Sequence, residues 1–133
     1  MPKNHGDLSK KKPSGGGSRR YRSKRVHELG GEAAETTIGK TRRIGKRLRG
    51  GGEKSKLLKA EIANVTDPKT GKTVKTPILS VIKNIASVDY DRRGIITKGA
   101  IIKTKLGNAL VKSRPGQSSV VNAVLLGEEE SRS

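Results

Sequence analysis

A chain of 133 residues with no Phe and no Trp must build its core almost entirely from aliphatic side chains. Hydrophobic residues make up only 30% of it. At roughly 25 cal/mol per Å² of buried apolar area, a core this small gives modest stability. A partner that binds the folded form preferentially is expected to supply part of the remainder. Most of the aliphatic residues fall in the second part of the chain, in short runs separated by turn residues. Short strands at turn-punctuated spacing predict an all-β domain, a small β-barrel.

The runs are these. Leu58-Lys59-Ala60-Glu61-Ile62 alternates apolar and polar, as on a half-buried strand. Thr66 to Gly71 is a turn by composition. Val74 to Ile85 is mostly aliphatic or β-branched, with Pro77 marking an edge or a strand start. Ile95-Ile96-Thr97, Ala100 to Leu106, Ala109-Leu110-Val111 and Val120 to Leu126 complete the set. Gly107-Asn108 is expected at the centre of a two-residue hairpin turn. Arg114-Pro115-Gly116-Gln117 suits a type II turn, with Pro setting φ and Gly accepting a positive one. Glu32-Ala33-Ala34-Glu35 predicts at most a short helical turn between glycine and threonine flanks.

Charge divides the chain differently. The formal net charge is +18. Residues 1–59 hold 18 Lys/Arg against 5 Asp/Glu, whereas residues 60–133 hold 12 against 7. The expected organisation is a basic arm and transitional segment over 1–41, a β-barrel module over 42–126 and a flexible acidic tail over 127–133, carrying Glu128-Glu129-Glu130. Pro, Gly and Ser interleave with the cations up to about Arg25, so the free arm is expected to be disordered and to order on a partner.

Self-repulsion at +18 calls for a neutraliser, and the phosphate backbone of a nucleic acid is the commonest one. The alternative, an anionic membrane surface, is disfavoured by the lack of a basic helix carrying Trp or Phe. No stretch is long and apolar enough to span a bilayer, and no secretory segment is expected in MPKNHGDLSKKKPSGGGS. The candidate contacts in the arm are Lys10, Lys11, Lys12, Arg19, Arg20, Arg22, Lys24 and Arg25. A second cluster holds Lys40, Arg42, Arg43, Lys46, Arg47 and Arg49, followed by three glycines that permit close approach of backbone to phosphate. Arg92, Arg93 and Arg114 lie in expected loops, where they are candidates either to extend the same surface or to remain simply solvated. Only Tyr21 and Tyr90 are aromatic, so recognition is expected to rest on phosphates, riboses and RNA shape, with Arg as the stacking group.

No catalytic pattern survives inspection. Gly39-Lys40-Thr41 and Gly71-Lys72-Thr73 resemble the end of a phosphate-binding loop, but the glycine required five residues earlier is Ala34 or Thr66. Asp89 and Asp91 beside Arg92-Arg93 suit a turn or a local ion pair better than a metal. His5 and His27 stand alone and Cys is absent, so neither a zinc site nor a disulfide is expected. The chain is therefore read as a binding protein with no enzyme activity, cofactor, metal or small-molecule substrate.

The order of its motifs resembles the archaeal/eukaryotic-type small ribosomal subunit protein eight family, distinct from the universal protein of that number. The carrying segments are Arg25 to Gly30, Ala34 to Gly39, Leu48 to Gly51, Leu57 to Pro68, Asn84, Arg92 to Ile102 and Ser113 to Gln117. They span roughly residues 19–126, and ANVTDP, ITKGAII and SRPGQ are specific in that order. The resemblance implies a small β-barrel with a basic N-terminal extension, bound to small-subunit ribosomal RNA beside neighbouring ribosomal proteins. It implies a structural and assembly role in the cytoplasm. The eukaryotic relatives' large insertion is absent, which implies an archaeal source. The chain departs from the family pattern at Gly31, where Arg is common, and at Gly52-Glu53, where Asn-Arg is common. Those departures weaken the expectation of RNA contacts there. Charge and fold alone leave two rivals: a ribosome-biogenesis factor on the same barrel, and a nucleoid protein that coats DNA.

Overall fold

The longest aliphatic run becomes the longest strand. In the computed structural model, which describes residues 11–18, 25, 31–48 and 50–127, residues Thr73–Lys83 form one continuous strand. In chain order the elements are β1 (Thr37–Ile38), β2 (Arg42–Arg47), β3 (Glu53–Ala60), β4 (Ile62–Thr66), β5 (Thr73–Lys83), α1 (Val88–Arg92), β6 (Ile101–Thr104), β7 (Gly107–Val111), α2 (Pro115–Ser118) and β8 (Asn122–Leu125). Strands β4-β5-β6-β7-β8 close a barrel, and β1-β3-β2 form a separate three-stranded sheet. The expected all-β barrel is present.

Alternation explains the barrel. Ala63 and Val65 of β4, Ile102 of β6, Ala109 and Val111 of β7 and Ala123 of β8 are all buried. Their neighbours along each strand are more exposed, as a period of two requires. A five-stranded barrel has a narrow interior, and Ala, Val and Ile fill it. The missing Phe and Trp are thus consistent with the architecture. Closure comes from β4 and β8 pairing in parallel, Asn64 opposite Asn122 and Thr66 opposite Val124.

Several local expectations are corrected. Leu58–Ile62 is not one strand: β3 ends at Ala60 and β4 begins at Ile62. Glu61 lies at the break, and its carbonyl accepts the Ile78 amide at 2.9 Å. Pro77 marks neither an edge nor a strand start. β5 pairs with β4 up to Pro77 and with β6 from Ile78 onward, so the missing donor falls where the ladder changes partner. Ile95 and Ile96 are buried but not in a strand. Their amides donate to Tyr90 and Thr36 carbonyls at 2.9 and 2.7 Å, outside any ladder. The hairpin turn falls at Lys105–Leu106, because Thr104 pairs with Gly107, which takes φ +133° as the first residue of β7.

The Pro115-Gly116 turn is a one-turn helix with Pro115 at its start, where a missing N–H costs nothing. Ser119, not Gly116, takes the left-handed conformation, with φ 54°. Glycine at 116 serves close approach instead: a Cβ there would lie 3.0 Å from the Ala34 Cβ. Glu32–Glu35 is not helical. Glu35 has φ 44°, and Thr36 is buried with its hydroxyl donating to the Leu57 carbonyl at 2.7 Å. The turn at residues 66–71 is as expected. The Lys69 amide and Thr70 hydroxyl both donate to the Asp67 carboxylate at 2.9 Å.

The chain divides into two compact units, residues 1–33 and 34–133. The barrel, the three-stranded sheet and both helices belong to the second. In the first, Lys11 bridges Gly17 in antiparallel fashion. There the Lys12 amide donates to the Gly16 carbonyl at 2.8 Å, closing a turn around Gly15 at φ +81°.

Candidate nucleic-acid interface

The second cation cluster folds into strand β2, and every residue of that strand is exposed. β2 pairs antiparallel with β3 along its whole length, with a register shift between Arg42 and Arg43. The pairing sets Arg42 opposite Lys59, Ile44 opposite Lys56 and Lys46 opposite Lys54. Residues 40–60 contain nine Lys/Arg and a single acid, Glu53, which stands opposite Arg47. Like charges directly opposite on a ladder repel. A polyanion laid along the hairpin would relieve that repulsion, and its backbone would displace condensed counterions.

Four described acids of the second unit, Glu35, Asp67, Asp89 and Asp91, are engaged in local hydrogen bonds away from the hairpin. Asp67 closes its own turn; the Lys69 amide, then the Thr70 hydroxyl, hold its carboxyl below the ordinary carboxylate value. Asp91 accepts the Asn84 amide at 2.7 Å. Glu35 and Asp89 both accept from the Arg93 guanidinium, at 2.5 and 3.3 Å, and Glu35 foremost holds that group in its charged form. These acids are committed to turns and local pairs, which leaves the β2–β3 hairpin strongly positive.

The candidate contacts distribute as follows. Arg42, Arg43, Lys46 and Arg47 share β2, and Lys40 is exposed at the bend just before it. Lys11 and Lys12 are exposed at the turn of the first unit, and Arg25 is exposed. Arg92 is exposed on α1, and Arg114 is exposed at the start of α2. Arg93 is part of the two-acid pair just described, so the expected local ion pair around Asp89 exists. Lys10, Arg19, Arg20, Arg22, Lys24 and Arg49 lie outside the described residues, as does the Glu128–Glu130 run. Sequence reading passed over Lys54, Lys56 and Lys59. Their placement beside β2, with Lys54 and Lys56 on one face and Lys59 beyond the register shift, follows from the hairpin register, for which the only local signal is the Gly50-Gly51-Gly52 link between two basic stretches. Lys54 also donates to the Gln117 side chain, which ties β3 to α2.

Among the described residues no group of His, Cys, Asp or Glu is placed to hold a metal, and no helix is long and apolar enough to cross a membrane. What remains is a cationic surface on a rigid β scaffold. The model of the Ribosomal protein S8e family matches residues 5–126. The chain belongs to this family. A small ribosomal subunit protein eS8 of Methanosarcina barkeri is 49% identical over 118 residues, 89% of this chain and 94% of that one. One from Methanococcoides burtonii is 48% identical over the same shares. One from Methanobrevibacter smithii is 49% identical over 114 residues, 86% and 91% of the two chains. These S8e relatives are archaeal ribosomal proteins, and the family is one of ribosomal constituents rather than enzymes.

Proposed function

We propose that this S8e chain is a structural constituent of the small ribosomal subunit that binds and stabilises folded small-subunit rRNA. It does so in the cytoplasm through phosphate and ribose contacts, beside neighbouring ribosomal proteins, and supports subunit assembly and translation. The observation that carries the reading is the β2–β3 hairpin, whose β2 strand is exposed throughout, with nine cations against one acid in residues 40–60. Arg42, Arg43, Lys46, Arg47, Lys40 and Arg49 neutralise phosphates along it. Lys10, Lys11, Lys12, Arg19, Arg20, Arg22, Lys24 and Arg25 do the same from residues 1–41, which order on the RNA. Arg92 and Arg114 extend the surface, and Arg93 contributes chiefly by fixing Glu35 against α1. The scarcity of aromatics favours shape and backbone readout over base stacking.

The test is competition between small-subunit rRNA and duplex DNA at equal phosphate concentration, paired with sedimentation of the native protein. Preference for rRNA and co-sedimentation with mature small subunits at moderate salt are expected. Preference for DNA, or presence on precursor particles alone, overturns the reading in favour of a nucleoid protein or a biogenesis factor.

A further inference from the structure

A groove of about 320 Å³ opens where the three-stranded sheet meets the barrel. Its walls come from Thr41 and Arg43 at the start of β2, Leu57 and Ala60 of β3, Ile62 and Asn64 of β4, Lys75 of β5, and the Ser119–Val121 segment after α2. The floor is aliphatic. Ile62 is half-exposed there. Period-two alternation sets Ile62 and Asn64 on the outer face of β4, while Ala63 and Val65 point inward. Lys75 stands directly opposite Asn64 in the ladder and shares that outer face. The rim therefore carries two exposed cations, Arg43 and Lys75, and no acid. The Asn64 amide nitrogen donates to the Asn122 side chain at 2.9 Å, which ties β4 to β8 beside the groove.

We propose that this groove seats one unpaired nucleotide of the bound RNA, its base on the aliphatic floor and its flanking phosphates on Arg43 and Lys75. The inference rests on the RNA reading above and adds a base-contacting subsite to a surface otherwise read as binding backbone. Three features single out this occupant. The volume lies at the lower end of the roughly 300–1,000 Å³ usual for small-ligand pockets. A flat apolar body with an anionic edge matches an aliphatic floor with a cationic rim. Arg43 also belongs to β2 and shares with Arg47 one face of that strand, so RNA bound to that face reaches the groove mouth. Bulged and looped nucleotides, whose bases are already unstacked, are the ones a protein can take up at little cost.

The test uses the full chain and two RNA hairpins. One carries a single bulged 2-aminopurine nucleotide, and the other is the same hairpin without the bulge. The arm and the β2–β3 cations bind both, so the subsite is read as the ratio of the two affinities. A preference of about five-fold for the bulged hairpin is expected, with a rise in 2-aminopurine emission as the base leaves the stack. Ile62→Ser removes floor without changing charge, and should abolish the preference while leaving affinity for the paired hairpin unchanged. Lys75→Gln, on the exposed outer face, should lower the preference in the same direction, and it serves as the readout if Ile62→Ser does not fold. Equal binding of both hairpins by the native chain overturns the subsite and leaves the RNA reading standing. A preference that persists in the variants overturns it too. Failure to bind either hairpin at moderate salt overturns the RNA reading itself.

Discussion

Asn84 is 4% exposed and sits just beyond the end of β5. Its side chain makes three hydrogen bonds. The amide donates to the Ile95 carbonyl at 2.6 Å, and the carbonyl oxygen accepts the Ala86 amide and the Thr97 hydroxyl, each at 3.0 Å. Asn84→Ala leaves the Ile95 carbonyl without that donor beside a side chain that is fully buried. A buried orphan costs about 1–3 kcal/mol, and the two part-buried donors lose roughly 0.5–1 kcal/mol each because water reaches them. The expected loss is about 3 kcal/mol, a large share of the roughly 5–15 kcal/mol of a typical domain. For a unit of this size that lowers the melting temperature by roughly 12–24 °C. Urea titration of the full chain, followed by circular dichroism, measures it.

Asn84→Asp sharpens the test, because it keeps the acceptor and replaces the donor with a carboxylate. That carboxylate would face the Ile95 carbonyl and lie near Asp91, so burial and like charge raise its pKa in the folded state. An acid raised on folding contributes stability that is fully present below its unfolded value of about 3.9. That contribution is lost as pH rises through the folded value. The difference between Asn84→Asp and the native chain should therefore shrink as pH falls below neutral. A loss under about 1 kcal/mol for Asn84→Ala, or a pH-independent difference for Asn84→Asp, would refute the assignment of Asn84 as the tie between β5 and the Ile95 loop.

Four further outcomes follow from the same structure. Thr76 is buried in the barrel and its hydroxyl has no hydrogen-bond partner within the protein among the described residues; Thr76→Val should raise stability by about 1 kcal/mol in urea titration. Gly116→Ala presses a methyl group against Ala34 at 3.0 Å and should cost about 1 kcal/mol of overpacking, read as a lowered melting temperature. Asp67 has a depressed pKa, so its contribution is complete above the ordinary 3.8 and fades as pH falls through the lowered value; the difference in melting temperature between the native chain and Asp67→Ala should close only on that acid side. Replacing Arg42, Arg43, Lys46 and Arg47 with Gln should flatten the slope of log affinity against log salt by about 0.9 for each duplex phosphate released, while Arg93→Gln should lower stability and leave that slope in place.

What was legible in the sequence was the period of the strands and the places where charge piles up. Val74 onward read as a strand because β-branched residues dominate it, and the Asp67 turn read correctly because its side chain bonds its own backbone. The misreadings share a cause. Ile95-Ile96 looks like a strand locally, but its amides are satisfied by Tyr90 and Thr36, and Thr36 lies far upstream in the chain, outside any local window. Gly116 looks like a residue chosen for positive φ, yet its role is set by Ala34, which no local window contains. Strand periodicity and the Asp67 turn were visible; the partner that satisfies a given backbone group was not.

The interface carries the same lesson one level up. The basic stretch Lys40 to Arg49 was conspicuous as a line of charge, but on a single strand successive side chains point to opposite faces and a line is divided in two. What widens one of those faces is the register with β3, which sets Lys54 and Lys56 beside Lys46 and Ile44, while Lys59 stands beside Arg42 across the register shift. The three glycines between the strands and the shift at Arg42/Arg43 decide that register. The groove depends on pairing still more distant: Lys75 reaches its place through Asn64, and the Ser119–Val121 wall through closure of β8 against β4. Charge density alone points to a polyanion. Only the meeting of the three-stranded sheet with the barrel, which brings together β2, β4, β5 and the segment after α2, distinguishes a surface that repels its own charges from one with a place for a base between them.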